Sequence, residues 1–252
     1  MKDQYDEQYA SGLETFRKSV GNALQFHSQV RELPLQGVAP TARLMFARIF
    51  FMSASILRLC PPVENERAIW DFTSIAILAR SLFEAIMFFR YFCEPSGADE
   101  WVARLALINL HDCCDRGRLF TELGRPDDVR GFAGEADELR EVLRRNIFFQ
   151  AFDEPKKRSL LNGYNAAFKT LREMGEKYAP AEPTWALYQF LSSYAHSYPV
   201  GYMRNSDNRR DGLENETDKV YIPGLLKWLA ELLDAATKAF HQIPAGVSLT
   251  VD

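Results

Sequence analysis

The chain has 252 residues, enough for one large domain or two small ones, and its 47% hydrophobic and 25% charged residues are those of an ordinary globular protein. A formal net charge of -4 at pH 7 excludes a global electrostatic attraction for nucleic acid, so there is no DNA footprint and any RNA contact would need a local basic patch. With 18 Phe and 10 Tyr, aromatic rings are expected to dominate the core.

Proline and glycine divide the sequence into segments whose apolar residues recur at helical rather than alternating spacing. The expected fold class is all-α: a single-domain bundle of seven to eight mostly long helices, with its core at about residues 4–242 and a loosely held tail at 243–252. The first helix is predicted from about Gln4 to Val30, with Leu13, Phe16, Val20, Leu24 and His27 on one face. Thr41 is placed to cap a second helix that runs to Cys60 and stops at Pro61 and Pro62.

A third helix is predicted from about Glu64 to Cys93, roughly 45 Å long. The fourth spans about Ala98 to Leu123 and ends at Gly124, and residues 127–150 read as one charge-rich surface helix. Two further helices, Lys157 to Tyr178 and Pro183 to Tyr198, precede a polar stretch from Pro199 to Asp218 that reads as a long loop. A last helix from about Val220 to His241 places Leu225, Leu229, Leu232, Leu233 and Ala236 on one side.

The apolar runs at 44–57 and 72–92 approach the length of a membrane span, but Arg48 interrupts the first, and Arg80, Glu84 and Arg90 the second. Helices buried in protein, with no membrane, are the expectation. Cys60, Cys93, Cys113 and Cys114 show no CxxC spacing, and the polar start lacks the plan of a secretory signal. Both features point to a cytoplasmic location.

Within LARSLFEAIMFFRYF, residues 78–92, the third helix carries Arg80, Glu84 and Tyr91 along one face of an otherwise apolar rod. Buried charges must find partners, so this stripe requires a polar counterpart. The segment WALYQFLSSYAHSYP supplies one, with Trp185, Gln189, Ser192 and His196 on a face of their own. If the two faces meet, Arg80 can bind an anionic group and Glu84 can orient the His196 imidazole, with Ser192, Gln189 and Tyr91 lining the site. The alternative is a closed network that only fixes how two helices pair.

The segments ARSLFEAIMFFRYF and FLSSYAH resemble the paired signature of a family of bacterial helical proteins of unknown function, an Arg-x3-Glu helix followed by a Ser-x3-His helix, matched here by Arg80, Glu84, Ser192 and His196. The resemblance implies an all-helical fold and no established activity. A looser similarity is to HEPN-type helical proteins, many of which are dimeric ribonucleases with an Arg-x4-6-His motif. The six residues before His196 hold no arginine, whereas Arg104 and His111 have the nominal spacing.

HDCCD places His111 and Asp115 on one helical face, but with no second cluster of ligands a metal is not expected, and neither is any other cofactor. No strand followed by a Gly-rich loop suggests a nucleotide phosphate site, and Ser192 lacks a nucleophile elbow. Arg204, Arg209 and Arg210 form a small cationic cluster beside the expected site, with Arg204 a ligand-binding candidate for RNA or a phosphorylated ligand; Asp207, Asp211, Glu214 and Glu216 nearly cancel it, and the alternative is a solvated loop. The reading is a binding or regulatory protein with a buried polar pocket for an anionic ligand; the alternative is a HEPN-like, metal-independent ribonuclease. Candidate partners are a small anion, RNA or a second copy of the chain in a homodimer.

Overall fold

A computed structural model describes residues 2–62, 68–180, 182–196, 198, 199, 203 and 212–243. Among these the chain is all-α, with ten helices and no strand. They fall into two compact units, one built from residues 1–35, 40–93 and 171–243, the other mainly from residues 94–170.

The first unit contains α1 (Lys2–Arg31), α2 (Ala39–Leu59), α3 (Phe72–Cys93), α8 (Leu171–Tyr178), α9 (Thr184–Ala195) and α10 (Glu216–Phe240). Its core is aromatic, as the composition implies. Phe26 of α1 meets Phe46 of α2 and Phe240 of α10, each at 5.2 Å between ring centroids, and Phe89 of α3 lies 5.7 Å from Phe46. Four helices thus share one cluster of rings in edge and tilted contacts. Along α10, Leu225, Leu229, Leu232, Leu233 and Ala236 are all buried.

Helix α1 departs from its expected face at one position. Tyr9, Leu13, Phe16, Val20, Ala23, Phe26 and Val30 are buried, but Leu24 is 49% exposed, because its neighbour Ala23 takes the inward position. The close approach of α1 to α10 depends on Gly12: a Cβ there would stand 2.5 Å from Pro223 Cβ. Helix α2 begins at Ala39, not at a Thr41 cap.

The third helix is shorter than expected. Residues 68–71 are not helical, and Asp71 caps α3 by accepting from the Ser74 N–H at 3.0 Å. Residues 63–67 lie outside the described part. Helix α3 is long and apolar enough to cross a membrane by length and composition, yet here it packs against α8, α9 and α10 with twelve side chains buried.

The second unit contains α4 (Ala98–Glu122), α5 (Pro126–Arg145), α6 (Ile147–Gln150) and α7 (Glu154–Leu161). Gly124, at φ 66°, ends α4 in a left-handed turn: its N–H donates to Thr121 O and that of Arg125 to Phe120 O, each at 3.0 Å. Pro126 then opens α5, where its missing N–H is not needed.

The continuous helix expected over 127–150 is broken at Asn146, whose side-chain oxygen caps α6 by accepting from Phe149 N–H at 3.0 Å. Its nitrogen donates to Asp99 O at 2.8 Å. The helix expected over 157–178 is likewise two short ones, separated at Gly163. That residue adopts φ 77°, and a Cβ on it would fall on the Cys114 thiol.

Candidate functional site

Packing of α9 on α3 brings together Arg80, Glu84, Tyr188 and Ser192. On α3, Arg80 and Glu84 are one turn apart, with Arg80 Nη2 and Glu84 Oε1 at 2.9 Å. On α9, Tyr188 and Ser192 have the same spacing, so four polar groups meet side to side.

Arg80 Nε donates to Ser192 Oγ at 3.1 Å, and Arg80 Nη2 donates to the Tyr188 hydroxyl at 3.2 Å. The Tyr188 hydroxyl donates to Glu84 Oε1 at 2.7 Å, and Ser192 Oγ donates to Tyr188 O at 2.8 Å. The guanidinium also lies 5.4 Å from the Tyr188 ring centroid, where the ring face attracts a cation. Apolar rings back the set, since Phe83 lies 5.5 Å from Tyr188 and 5.3 Å from Trp228.

The cluster sits at the edge of the core rather than deep within it, the Arg80 side chain being 19% exposed and that of Glu84 36%. Burial pushes the Tyr188 phenol above its ordinary value, and its hydrogen bond to the Glu84 carboxylate adds to the shift. Arg80 opposes it. Tyr188 is therefore a neutral donor to Glu84 and a neutral acceptor from Arg80 at physiological pH.

Of the expected site residues, three are in the network: Arg80, Glu84 and Ser192. His196 is not. Helix α9 ends at Ala195, and His196 follows as its exposed C-cap, its ring 5.5 Å from that of Tyr198. The expected convergence of His196 with Arg80 and Glu84 is corrected on that ground: the helix stops before this imidazole is carried inward.

Gln189 is exposed, on the outer side of α9. Tyr91 is buried two turns beyond Glu84, about 10 Å along the axis, with its ring beside Phe88. Neither joins the cluster. Arg204 lies outside the described residues, as do Arg209 and Arg210.

Tyr188 was missed by the sequence reading. Its signal was present, since it stands four residues before Ser192 and its phenol gives an aromatic side chain a polar end.

The motif pair in α4 has a different setting. Arg104 is 2% exposed, pairs with Glu100 and donates to Glu94 O at 3.2 Å. His111 Nδ1 lies 3.0 Å from Gly163 O and therefore carries a proton that it donates to that carbonyl. Its Nε2 stands 3.3 Å from Asp115 Oδ2. Both side chains are held in local structure.

The family of unknown function DUF5677 matches residues 41–213, and the chain belongs to this family. The matched span includes both helices of the cluster. No curated protein and no solved structure matches the chain.

Proposed function

We propose that the chain is a helical binding or regulatory protein and that the Arg80, Glu84, Tyr188 and Ser192 cluster is its ligand contact, taking a small anionic group. One observation carries this reading. Arg80 is fixed through Nε and Nη2, while its Nη1 has no hydrogen-bond partner among the described residues and the side chain remains partly exposed. A guanidinium already oriented loses little freedom on taking one more acceptor, which favours binding.

Isothermal titration calorimetry with acetate, succinate and inorganic phosphate tests it. Binding that is lost in Arg80→Lys, with unfolding unchanged, supports the reading, because Lys keeps the charge and loses the fork. Equal binding by wild type and Arg80→Lys, or none of the three anions binding, would sink it.

A second reading, a metal-independent ribonuclease, is favoured by the exposed His196, whose ring has no described hydrogen bond and is open to solvent for proton transfer. Arg104 does not serve it as the phosphate-binding arginine, being buried against carboxylates. Cleavage of RNA by the wild type and not by His196→Ala would establish this reading.

A further inference from the structure

The bend at Asn146 brings the last turn of α5 and the start of α7 to one cleft of about 470 Å³, within the size range of small-molecule sites. Phe149 and Leu161 form the apolar part of its wall. Three cations line it, Arg144, Lys157 and Arg158, against one carboxylate, Glu154.

Arg158 is the one of the three that no carboxylate pairs among the described residues. Glu154 Oε1 holds Lys157 Nζ at 3.0 Å, and the Lys157 side chain is only 20% exposed, so its amine is positioned by that pair. Arg158 is exposed and makes one long bond, Nε to Glu154 O at 3.5 Å, which leaves both terminal nitrogens of its guanidinium without a described partner. Arg144 pairs with Glu141, while Gln150 Nε2 donates to Arg144 O at 3.1 Å and ties α6 to the end of α5.

We propose that this cleft binds a small phosphate monoester. A phosphate monoester carries a charge of about -1.5 to -2 at pH 7, which complements the positive charge left on Arg158 once Arg144 is paired with Glu141 and Lys157 with Glu154. Arg158 supplies a planar fork for two phosphate oxygens and Lys157 a point charge beside it. The apolar wall accepts the body of the ligand.

A polynucleotide fits less well. The chain carries a formal net charge of -4, and Glu154 stands among the three cations of the cleft wall, which interrupts any continuous basic track there. This inference is independent of the cluster on α3 and α9.

Calorimetry on the full chain tests it with three probes: adenosine 5′-monophosphate, adenosine, and a single-stranded oligouridylate. The monophosphate is expected to bind at least about tenfold more tightly than adenosine, and Lys157→Gln and Arg158→Gln are each expected to weaken it about tenfold. Arg130→Gln, an exposed position paired with Asp127, is expected to leave it unchanged.

Circular dichroism establishes that the variants fold; should one fail, the other decides. Monophosphate and adenosine binding equally, or binding indifferent to both Gln variants, overturns the proposal. Tighter binding of the oligouridylate that both variants abolish overturns it too, since the cleft would then belong to a polynucleotide surface.

Discussion

The Tyr188 hydroxyl donates to Glu84 Oε1 at 2.7 Å, joining two helices whose contacting residues are 104 positions apart in sequence. The same oxygen accepts from Arg80, so the phenol stands between cation and carboxylate. Tyr188→Phe removes that link and leaves the direct ion pair. A hydrogen bond to a charged group is worth about 1.5–3 kcal/mol, and the exposure of Glu84 reduces this to about 1 kcal/mol. The melting temperature should fall by about 2–4 °C. An unchanged melting curve would show that the bond contributes nothing to stability.

Two glycines of α1 should respond with opposite signs to the same substitution. Gly12→Ala places a methyl group 2.5 Å from Pro223 Cβ and 2.6 Å from its Cα, and the helices must move apart. Overpacking of this kind costs about 1–3 kcal/mol. Gly21 has nothing within 4 Å of the new methyl, so Gly21→Ala should stabilise the protein by about 0.5–1 kcal/mol through helix propensity alone. Urea unfolding of both variants reads the sign directly.

Alkaline pH should destabilise the first unit. Burial pushes the Cys60 thiol up to about 12, and burial likewise raises the Tyr9 phenol, whose hydroxyl donates to Pro61 O at 2.7 Å. Raised folded values favour the protonated forms, so their contribution is complete below the unfolded values, near 9 for the thiol and 10 for the phenol, and is lost as pH rises above them. The urea midpoint should fall between pH 8.5 and about 10.5. Cys60→Ala should make that fall shallower, and an identical slope would refute the assignment to Cys60.

Asn146 separates two roles that a pair of substitutions can distinguish. Asn146→Ala loses the α6 cap and the bond to Asp99 O, and should cost about 2 kcal/mol. Asn146→Asp keeps the cap but sets a carboxylate oxygen against that carbonyl. If the cap alone mattered, Asp would be as stable as Asn; the geometry predicts that it is not.

Most helices could be read from apolar spacing, because a helix that must bury one face writes its period into the sequence. The breaks were harder to see. Asp71 was overlooked as a cap because the charged run before it continues the helical pattern, and Asn146 because its second partner, Asp99, is distant in sequence. Gly163 marks the break by its left-handed φ of 77°, and the Cys114 thiol beside it leaves no room for a Cβ, a contact distant in sequence.

The cluster on α3 and α9 was half legible. Arg80, Glu84 and Ser192 stood out as polar groups on apolar helices, whereas Tyr188 passed as one more core aromatic. Gln189 lies about 100° round α9 from Tyr188, so the two are not interchangeable on its inner face; His196 stays outside for a separate reason, the end of α9 at Ala195.

Arg80 grips α9 at two residues one turn apart, and a slip of either helix by a single residue would pull both grips loose together. The two bonds together thus fix the register of α9 against α3.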